Sequence, residues 1–404
     1  MNVNLDACIS QTSNQTICVN EGMQTEHSIN NGTLDFSKSD LCSYNLNEFS
    51  PIATSNTKTV KININGNDVG VEIKGDKIDS SIFDGIDKSL VTSVVIPEGI
   101  TTIEDGTFGK YPSNILENLV EVTLPSTLKI IGKNAFLCCK SLKSIEIPEG
   151  IKTIAEFTFY GCTSLKSIKI PEGITNIEWG AFDGCRSLED VTLPSTLKVI
   201  GTSAFSDCRS LKRIEIPKEV IAIKECTFFG CLSLEEIILP SKLEYIGRDA
   251  FYECKSLKGI KLPKEVVVIE ECTFEGCESL EEINIPEGVV SIKYAAFSDC
   301  YSLKKVTLPS TIAYVSTSVF NDCINLKECK ITSSHKKPGN NIIISMYRAS
   351  KDRINLFYFN KEDLNKYKKI CEELFNNLGV IARYVNVYEQ SQGVSSKLDW
   401  SWKF

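Results

Sequence analysis

The chain is poor in the residues that most often carry catalysis and metal binding. Its 404 residues include only two histidines, His27 and His335, and both lie outside the regular part of the sequence. This scarcity excludes most histidine-based catalysis and histidine-rich metal sites. No nucleophile–base constellation or carboxylate pair is visible, and Gly132-Lys133 lacks the preceding glycine of a phosphate-binding loop. The sequence predicts a protein that is not an enzyme and has no cofactor or metal.

An excess of positive charge and long apolar runs are also missing. Lys and Arg total 44 against 52 Asp and Glu, a net charge of −8. A general nucleic-acid binder needs a basic face, so the balance predicts no nucleic-acid partner. No run approaches the roughly 18–20 apolar residues that span a bilayer, and the N-terminus lacks the basic and apolar regions of a signal peptide. We therefore expect no transmembrane segment and a cytoplasmic location; the alternative is the cell surface or secretion by a non-classical route.

What the chain has in abundance is an internal repeat. Ten of its 13 prolines recur from Pro97 to Pro309, first after 28 residues and then at eight steps of 23. A phenylalanine follows each of these prolines by eleven positions, and a cysteine follows nine of them by fourteen, from Cys139 to Cys323. A fixed period of this length is typical of solenoids, in which stacked units contact their neighbours.

The spacing within one unit, here called a coil, predicts its local structure. Leu142–Ile147 alternates at its end and is β-branched, which favours a short strand. Pro148 cannot donate to a ladder and ends that strand. Ile151 and Ile154 then turn inward from an irregular or second extended segment, and Phe159 fills the far side. One coil cannot bury these groups alone, so stacking must form the core.

The repeat L-x-x-I-x-I-P-x-x-I-x-x-I-x-x-x-A/T-F-x-x-C resembles the leucine-rich repeat superfamily, specifically its BspA-like subclass. The resemblance covers residues 90–332. It implies a curved right-handed leucine-rich repeat array with a parallel β-sheet on one face. It also implies that the protein recognises proteins or host surfaces and does not catalyse a reaction.

The nine repeated cysteines have two interpretations. They could be small buried hydrophobes whose S–H groups donate to turn carbonyls, or they could form disulfides or bind metal. A 23-residue spacing fits no zinc pattern, and an odd-numbered row facing the core is a poor disulfide framework. Cys226 and Cys272 lie two coils apart, too far to pair. We favour a reduced structural row, which indicates a reducing compartment.

Two neighbouring rows of charged residues flank the predicted strands. The first row alternates in sign at every step from Glu189 to Lys304. Opposite charges side by side in a sheet are favourable, so the rows could be a self-neutralising ladder that keeps the sheet soluble. They could equally form a partner surface, although no aromatic hot spot lies on them. The candidate partner-binding residues are Glu189, Asp190, Lys212, Arg213, Glu235, Glu236, Lys258, Glu281, Glu282 and Lys304.

The segments before the repeat predict a tail and a cap. Residues 1–58 are rich in Asn, Ser and Thr, with two Lys against six acids, which predicts a disordered or loosely ordered tail. Residues 59–89 contain two apolar runs around Asn65-Gly66, a β-hairpin pattern. Solenoids need terminal caps, so we expect this hairpin to be the N-terminal cap.

Residues 333–404 predict a small α+β module. Strand-like runs lie at Ile342–Tyr347, Leu356–Phe359 and Val380–Val387, with a helix from Asn360 to Gly379. The module holds twelve Lys and Arg against seven acids, a net of +5. It is interpreted as a C-terminal cap, with a basic docking module as the alternative.

The function that the sequence predicts is a non-catalytic, monomeric scaffold that binds a protein partner of unknown identity through the solenoid. The alternative is a surface adhesin that binds host or matrix proteins and is exported without a classical signal peptide. An enzyme with a repeat targeting domain is a third hypothesis, and it depends on the C-terminal module.

Overall fold

The computed structural model describes residues 57–110, 114–331, 356–358 and 386–388. Between residues 91 and 331 the described part of the chain forms stacked coils, and each of the ten repeat prolines begins a tight turn. The N–H of Ile151 donates to the Pro148 carbonyl at 3.2 Å, for example. The second half of each coil is extended, which settles the alternative that the sequence left open. The coils therefore carry two rows of parallel strands where the resemblance implied one.

The first row forms what we call the wide sheet. Its strands pair in parallel with a 23-residue step, as Ser167 does with Asp190 and Arg213 with Glu236. The pairing is interrupted: Ser144 makes only a single bridge to Glu121, and residues 259–261 are not a strand. The strands are Val91–Val95, Glu121–Thr123, Ser167–Lys169, Asp190–Thr192, Arg213–Glu215, Glu236–Ile238, Glu282–Asn284, Lys305–Leu308 and Glu328–Ile331.

The second row forms the narrow sheet, whose strands are two residues long. They also pair in parallel at the repeat step, as Ile154 does with Ile177. The strands are Lys77–Ile78, Thr102–Ile103, Ile130–Ile131, Thr153–Ile154, Asn176–Ile177, Val199–Ile200, Ala222–Ile223, Tyr245–Ile246, Val268–Ile269, Ser291–Ile292 and Tyr314–Val315.

One continuous core runs between the two sheets. The ten repeated phenylalanines, Phe108 to Phe320, are fully buried and stack in a column. Neighbouring rings are within 13° of parallel, with centroids 4.8–5.8 Å apart. Within the column each ring stacks only on the rings of the neighbouring coils, so the stability of the core is a sum of contacts between adjacent coils.

The predicted β-hairpin is present before the first coil. Thr57–Ile64 and Asn67–Lys74 pair antiparallel, and the first of these strands also pairs with Val91–Val95 of the wide sheet. Two 3₁₀ turns follow, Ser80–Phe83 and Lys88–Leu90. Phe83 contacts Phe108 edge to face at 5.8 Å and so extends the phenylalanine column. The role of the hairpin as a cap stays a prediction.

Within the longer first repeat step, Gly109–Lys110 pairs antiparallel with Asn114–Ile115. Of the C-terminal module, two strands are described, Leu356–Tyr358 and Asn386–Tyr388, and both extend the wide sheet in parallel. They overlap two of the three predicted strands. The predicted strand 342–347 and helix 360–379, and all of the predicted tail before Thr57, lie outside the described residues.

Candidate functional site

The charged rows lie on the outer side of the wide sheet, which we call the strand face. In each coil the central strand residue, such as Ile214, points into the core, so the residue before it faces solvent. The parallel register then places equivalent residues of successive coils side by side. All ten predicted partner-binding residues are exposed on this face.

The first row is divided into three separate ion pairs. Lys212 lies 3.5 Å from Glu189, Lys258 lies 2.6 Å from Glu235, and Lys304 lies 2.9 Å from Glu281. Each lysine reaches the acid of the preceding coil, and the hydrogen bond from Lys258 lowers the pKa of the Glu235 carboxyl. All six side chains are at least half exposed, so each pair contributes little to stability.

The second row is less completely paired. Arg213 lies 3.5 Å from Glu236, and Lys305, a residue of this row, lies 3.7 Å from Glu328. Within the described part of the chain, Asp190 and Glu282 have no ion pair. The strand face thus offers paired charges beside acids that are open to an external cation.

A groove crosses the strand face where the wide sheet is interrupted. It has a volume of about 810 Å³, and Leu239 and Ile260 are apolar residues of its lining, with Lys261 and Glu282 among the charged ones. Gly259 lies in the second charged row, its φ is outside the left-handed region, and no atom lies within 4 Å of the position of an added Cβ. A side chain would fit there without strain, so this glycine leaves the surface open.

Sequence reasoning missed this groove, although its signal was visible. In the second row, Gly259 is the one position without a side chain between Ser144 and Glu328. The sequence also gave no prediction for a set of exposed apolar residues on the narrow sheet, because these residues are not constant between coils. Ile221 and Val267 are two of them, each about half exposed.

The cysteine row is structural, as predicted. Each of the nine thiols is buried and unpaired with another cysteine. Each thiol donates to the phenylalanine carbonyl of the preceding coil, with Sγ–O distances of 3.0–3.8 Å. Burial raises the pKa of Cys162, Cys208 and Cys254 well above the ordinary thiol value. Such neutral thiols are inert toward nucleophilic chemistry.

Among the residues that the structure describes, no three or more His, Cys, Asp or Glu side chains are grouped so that they could hold a metal ion. The same part of the chain contains no helix that is both long and apolar enough to cross a membrane. The chemistry that the strand face supports is recognition through ion pairs and hydrogen bonds.

Comparison with known proteins identifies the repeat. A family model described as BspA type leucine rich repeat region, in six copies, matches residues 76–212, 198–327 and 244–380. No curated protein sequence matches the chain.

Solved structures of repeat proteins are also similar. A leucine rich cell surface protein of Faecalibacterium prausnitzii shares 26% identity over 68% of this chain and 86% of its own, with a TM-score of 0.39. A leucine-rich repeat protein of Bacteroides ovatus shares 23% over 77% and 96%, with a TM-score of 0.45. The T. pallidum leucine rich repeat protein shares 36% over 41% and 77%, with a TM-score of 0.38.

Proposed function

Because the chain belongs to the BspA type leucine rich repeat family, we propose that it is a non-catalytic scaffold that binds a protein partner through its strand face. The observation that carries this proposal is the exposed charge pattern of that face between Glu189 and Lys304. Charged rows at fixed spacing define a partner's register and raise its association rate.

The groove at Gly259 supports the same location. It interrupts the charged rows with an apolar floor that includes Leu239 and Ile260, and Lys261 stands beside it. Specific interfaces combine a central apolar contact with a charged rim. The strand face contains both within three successive coils, although it contains no aromatic residue in its charged rows.

The test is a charge reversal on the strand face. The partner is first recovered on the immobilised full chain and identified, then titrated at fixed salt against Glu235→Lys with Glu281→Lys. This double variant places like charges beside Lys258 and Lys304, and we expect at least a tenfold weaker partner affinity. The control is Glu149→Lys with Glu219→Lys, which makes the same change in net charge on the turns after two repeat prolines, outside both charged rows.

Unchanged affinity in Glu235→Lys with Glu281→Lys would contradict the proposal. If affinity is lost instead when residues 333–404 are deleted, the site belongs to the basic C-terminal segment. The charged rows would then be a solubility ladder.

The compartment is the second part of the proposal. The thirteen cysteines of the described residues are all free thiols, which favours a reducing compartment such as the cytoplasm. The alternative function, a surface adhesin exported by a non-classical route, requires the opposite location. Protease added to intact cells should leave the scaffold uncut, whereas cleavage of the chain would favour the adhesin.

A further inference from the structure

The narrow sheet becomes more apolar halfway along the solenoid. Two positions show this, the fourth and fifth residues after each repeat proline. In the coils of Pro97 to Pro194 the fourth residue is always polar, Thr101, Lys129, Lys152, Thr175 or Lys198, and the fifth is Thr102, Ile130, Thr153, Asn176 or Val199. In the coils of Pro217 to Pro309 it is Ile221, Glu244, Val267, Val290 or Ala313, and the fifth is Ala222, Tyr245, Val268, Ser291 or Tyr314.

The large apolar residues of this second set are exposed. The exposed fraction is 51% for Ile221, 50% for Val267, 39% for Val290, 37% for Tyr245 and 50% for Tyr314. Five successive coils contribute, so these side chains form a contiguous surface, which we call the apolar face. Monomeric proteins rarely expose a contiguous apolar area of this kind unless it contacts another molecule.

Backbone pairing holds the apolar face in place. The N–H of Val290 donates to Val267 at 2.9 Å, and the N–H of Ala313 donates to Val290 at 2.8 Å. The Tyr245 hydroxyl donates to Glu225 at 3.0 Å, which orients its ring. A surface that is already ordered loses little entropy when it binds.

Four of the five coils of the apolar face, those of Pro240 to Pro309, are self-complementary about their middle, and the coil of Pro217, with Ile221, lies outside this symmetric part. The midpoint lies between the coils of Pro263 and Pro286, which contain Val267 and Val290. Tyr245 lies one coil before this pair of coils, and Tyr314 lies at the same position one coil after it. If a second copy faces the first with its coils in reverse order, Tyr245 meets Tyr314 and Val267 meets Val290.

The charges beside the apolar face match the same arrangement. Glu270 and Lys293 occupy equivalent positions in the two central coils and form an ion pair with a 2.7 Å Nζ–O distance. Reversing the coil order of a second copy places its Lys293 opposite Glu270. A patch that meets itself with opposite charges opposed fits a two-fold dimer.

We propose that the apolar face binds a second copy of this chain, with the coils of the two copies antiparallel about a two-fold axis between the coils of Pro263 and Pro286. The four symmetric coils, about 4.8 Å apart and each presenting roughly 20 Å of chain, offer about 400 Å² per copy. This is below the roughly 800 Å² per partner of a standard interface, so the dimer exchanges with monomer. The charged rows lie on the other sheet of each coil, so the strand faces stay free, and a dimer carries two of them.

The test is the molar mass of the full chain by sedimentation equilibrium between about 1 and 100 μM, the range in which a weak dimer forms. We expect the mass to rise from the 44.9 kDa of one chain toward twice that value. Val267→Glu should hold the mass at one chain over the whole range. Because Val267 is half exposed, the circular dichroism and melting temperature of this variant should stay close to wild type.

The control is Ile130→Glu, at the narrow-sheet position equivalent to Tyr245 but four coils before the first coil of the apolar face. Ile130 is 55% exposed, so the substitution is equally tolerated, and it should leave the dimer intact. A wild-type mass that stays at one chain would overturn the proposal. So would a dimer that persists in Val267→Glu, or one that Ile130→Glu disrupts equally. Partner affinity measured on the strand face is independent of these outcomes.

Discussion

At the residue scale, two adjacent phenylalanines of one coil have different environments. Phe228 is fully buried in the phenylalanine column, with ring centroids at 5.8 and 5.6 Å on its two sides. Phe229 is half-buried and stacks on Tyr252 at 4.8 Å. The position of a phenylalanine within the repeat therefore determines its burial, which the residue type alone does not.

We expect Phe228→Ala to lower the free energy of unfolding by about 3–5 kcal/mol, because the column leaves a cavity that its neighbours cannot fill. Phe229→Ala should cost clearly less, since solvent already contacts that ring. Urea denaturation of both variants measures the difference. Equal losses would show that the column is not the core.

Eight of the buried thiols, those of the cysteine row from Cys139 to Cys300, make the free energy of unfolding depend on pH in the alkaline range. Burial raises the pKa of each of these eight thiols in the folded chain, whereas the unfolded thiols titrate near pH 8.5. Above that pH the unfolded state loses protons that the folded state keeps, so the unfolded state becomes more stable. The stabilisation is complete below about pH 8.5 and is lost as the pH rises, by about 1.4 kcal/mol per pH unit for each thiol.

We expect the free energy of unfolding to fall steeply above about pH 9. Cys231→Ala should reduce that slope by about one thiol's contribution, and Cys254→Ala by the same amount, whatever each variant costs at neutral pH. Urea melts from pH 7 to pH 10 give the slopes. A slope that neither substitution changes would mean that the thiols are already ionised or exposed in the folded protein.

At the scale of elements, the hairpin shows which contacts a local sequence pattern predicts and which it does not. Asn65-Gly66 predicts the turn, and the two strands form on either side of it, with Asn65 at a φ of 50° and Gly66 at 87°. The pattern does not predict which strand the hairpin pairs with. Val60 and Ile62 are fully buried because the first strand pairs with Val91–Val95, a contact between segments about 30 residues apart.

If the hairpin covers the first coil, its inward residues should matter to the stability of the array. We expect Ile62→Ala to cost about 2–5 kcal/mol, because it opens a cavity against the first coil. Val69→Ala, on the partner strand, should stay within about 0.5 kcal/mol because Val69 is 40% exposed. Thermal melts of the full chain compare them. A cost below about 1 kcal/mol for Ile62→Ala would argue against a capping role.

The two sheets differ in how much of them could be predicted. Local preferences predict a strand before each repeat proline, but Leu142–Ile147, the segment used for that prediction, makes only a single bridge at Ser144. The sequence left the segment after the proline open between irregular and extended. The missing side chain at Gly259 is visible in the sequence, but the loss of strand pairing there is not, since hydrogen bonding between coils depends on how three neighbouring coils pack. The residues of the apolar face are visible in the sequence, but a periodic pattern identifies only the positions that stay constant between coils. Val267 and Val290 occupy a position that is polar in the first five coils, so the repeat did not predict them.

At the scale of the whole molecule, the repeat explains how a long parallel array is stabilised along its whole length. Every coil contributes the same phenylalanine contact to its neighbours, and nine of the ten also contribute the cysteine contact, so stability is a sum of similar steps. The outer surfaces have no such constraint. The strand face and the apolar face therefore vary from coil to coil while the core stays the same, and both proposed binding surfaces lie on this variable part.

The central claim is that the charge pattern of the strand face, beyond its neutrality, determines partner binding. The most direct measurement is the dissociation constant of the partner for the exchanged pair Glu235→Lys with Lys258→Glu, compared with wild type at one salt concentration. The exchange keeps net charge and an ion pair across the same two coils but inverts its direction. We predict at least a tenfold weaker affinity with an unchanged urea midpoint. An affinity equal to that of wild type would contradict the account, because it would mean that the rows serve only to neutralise each other.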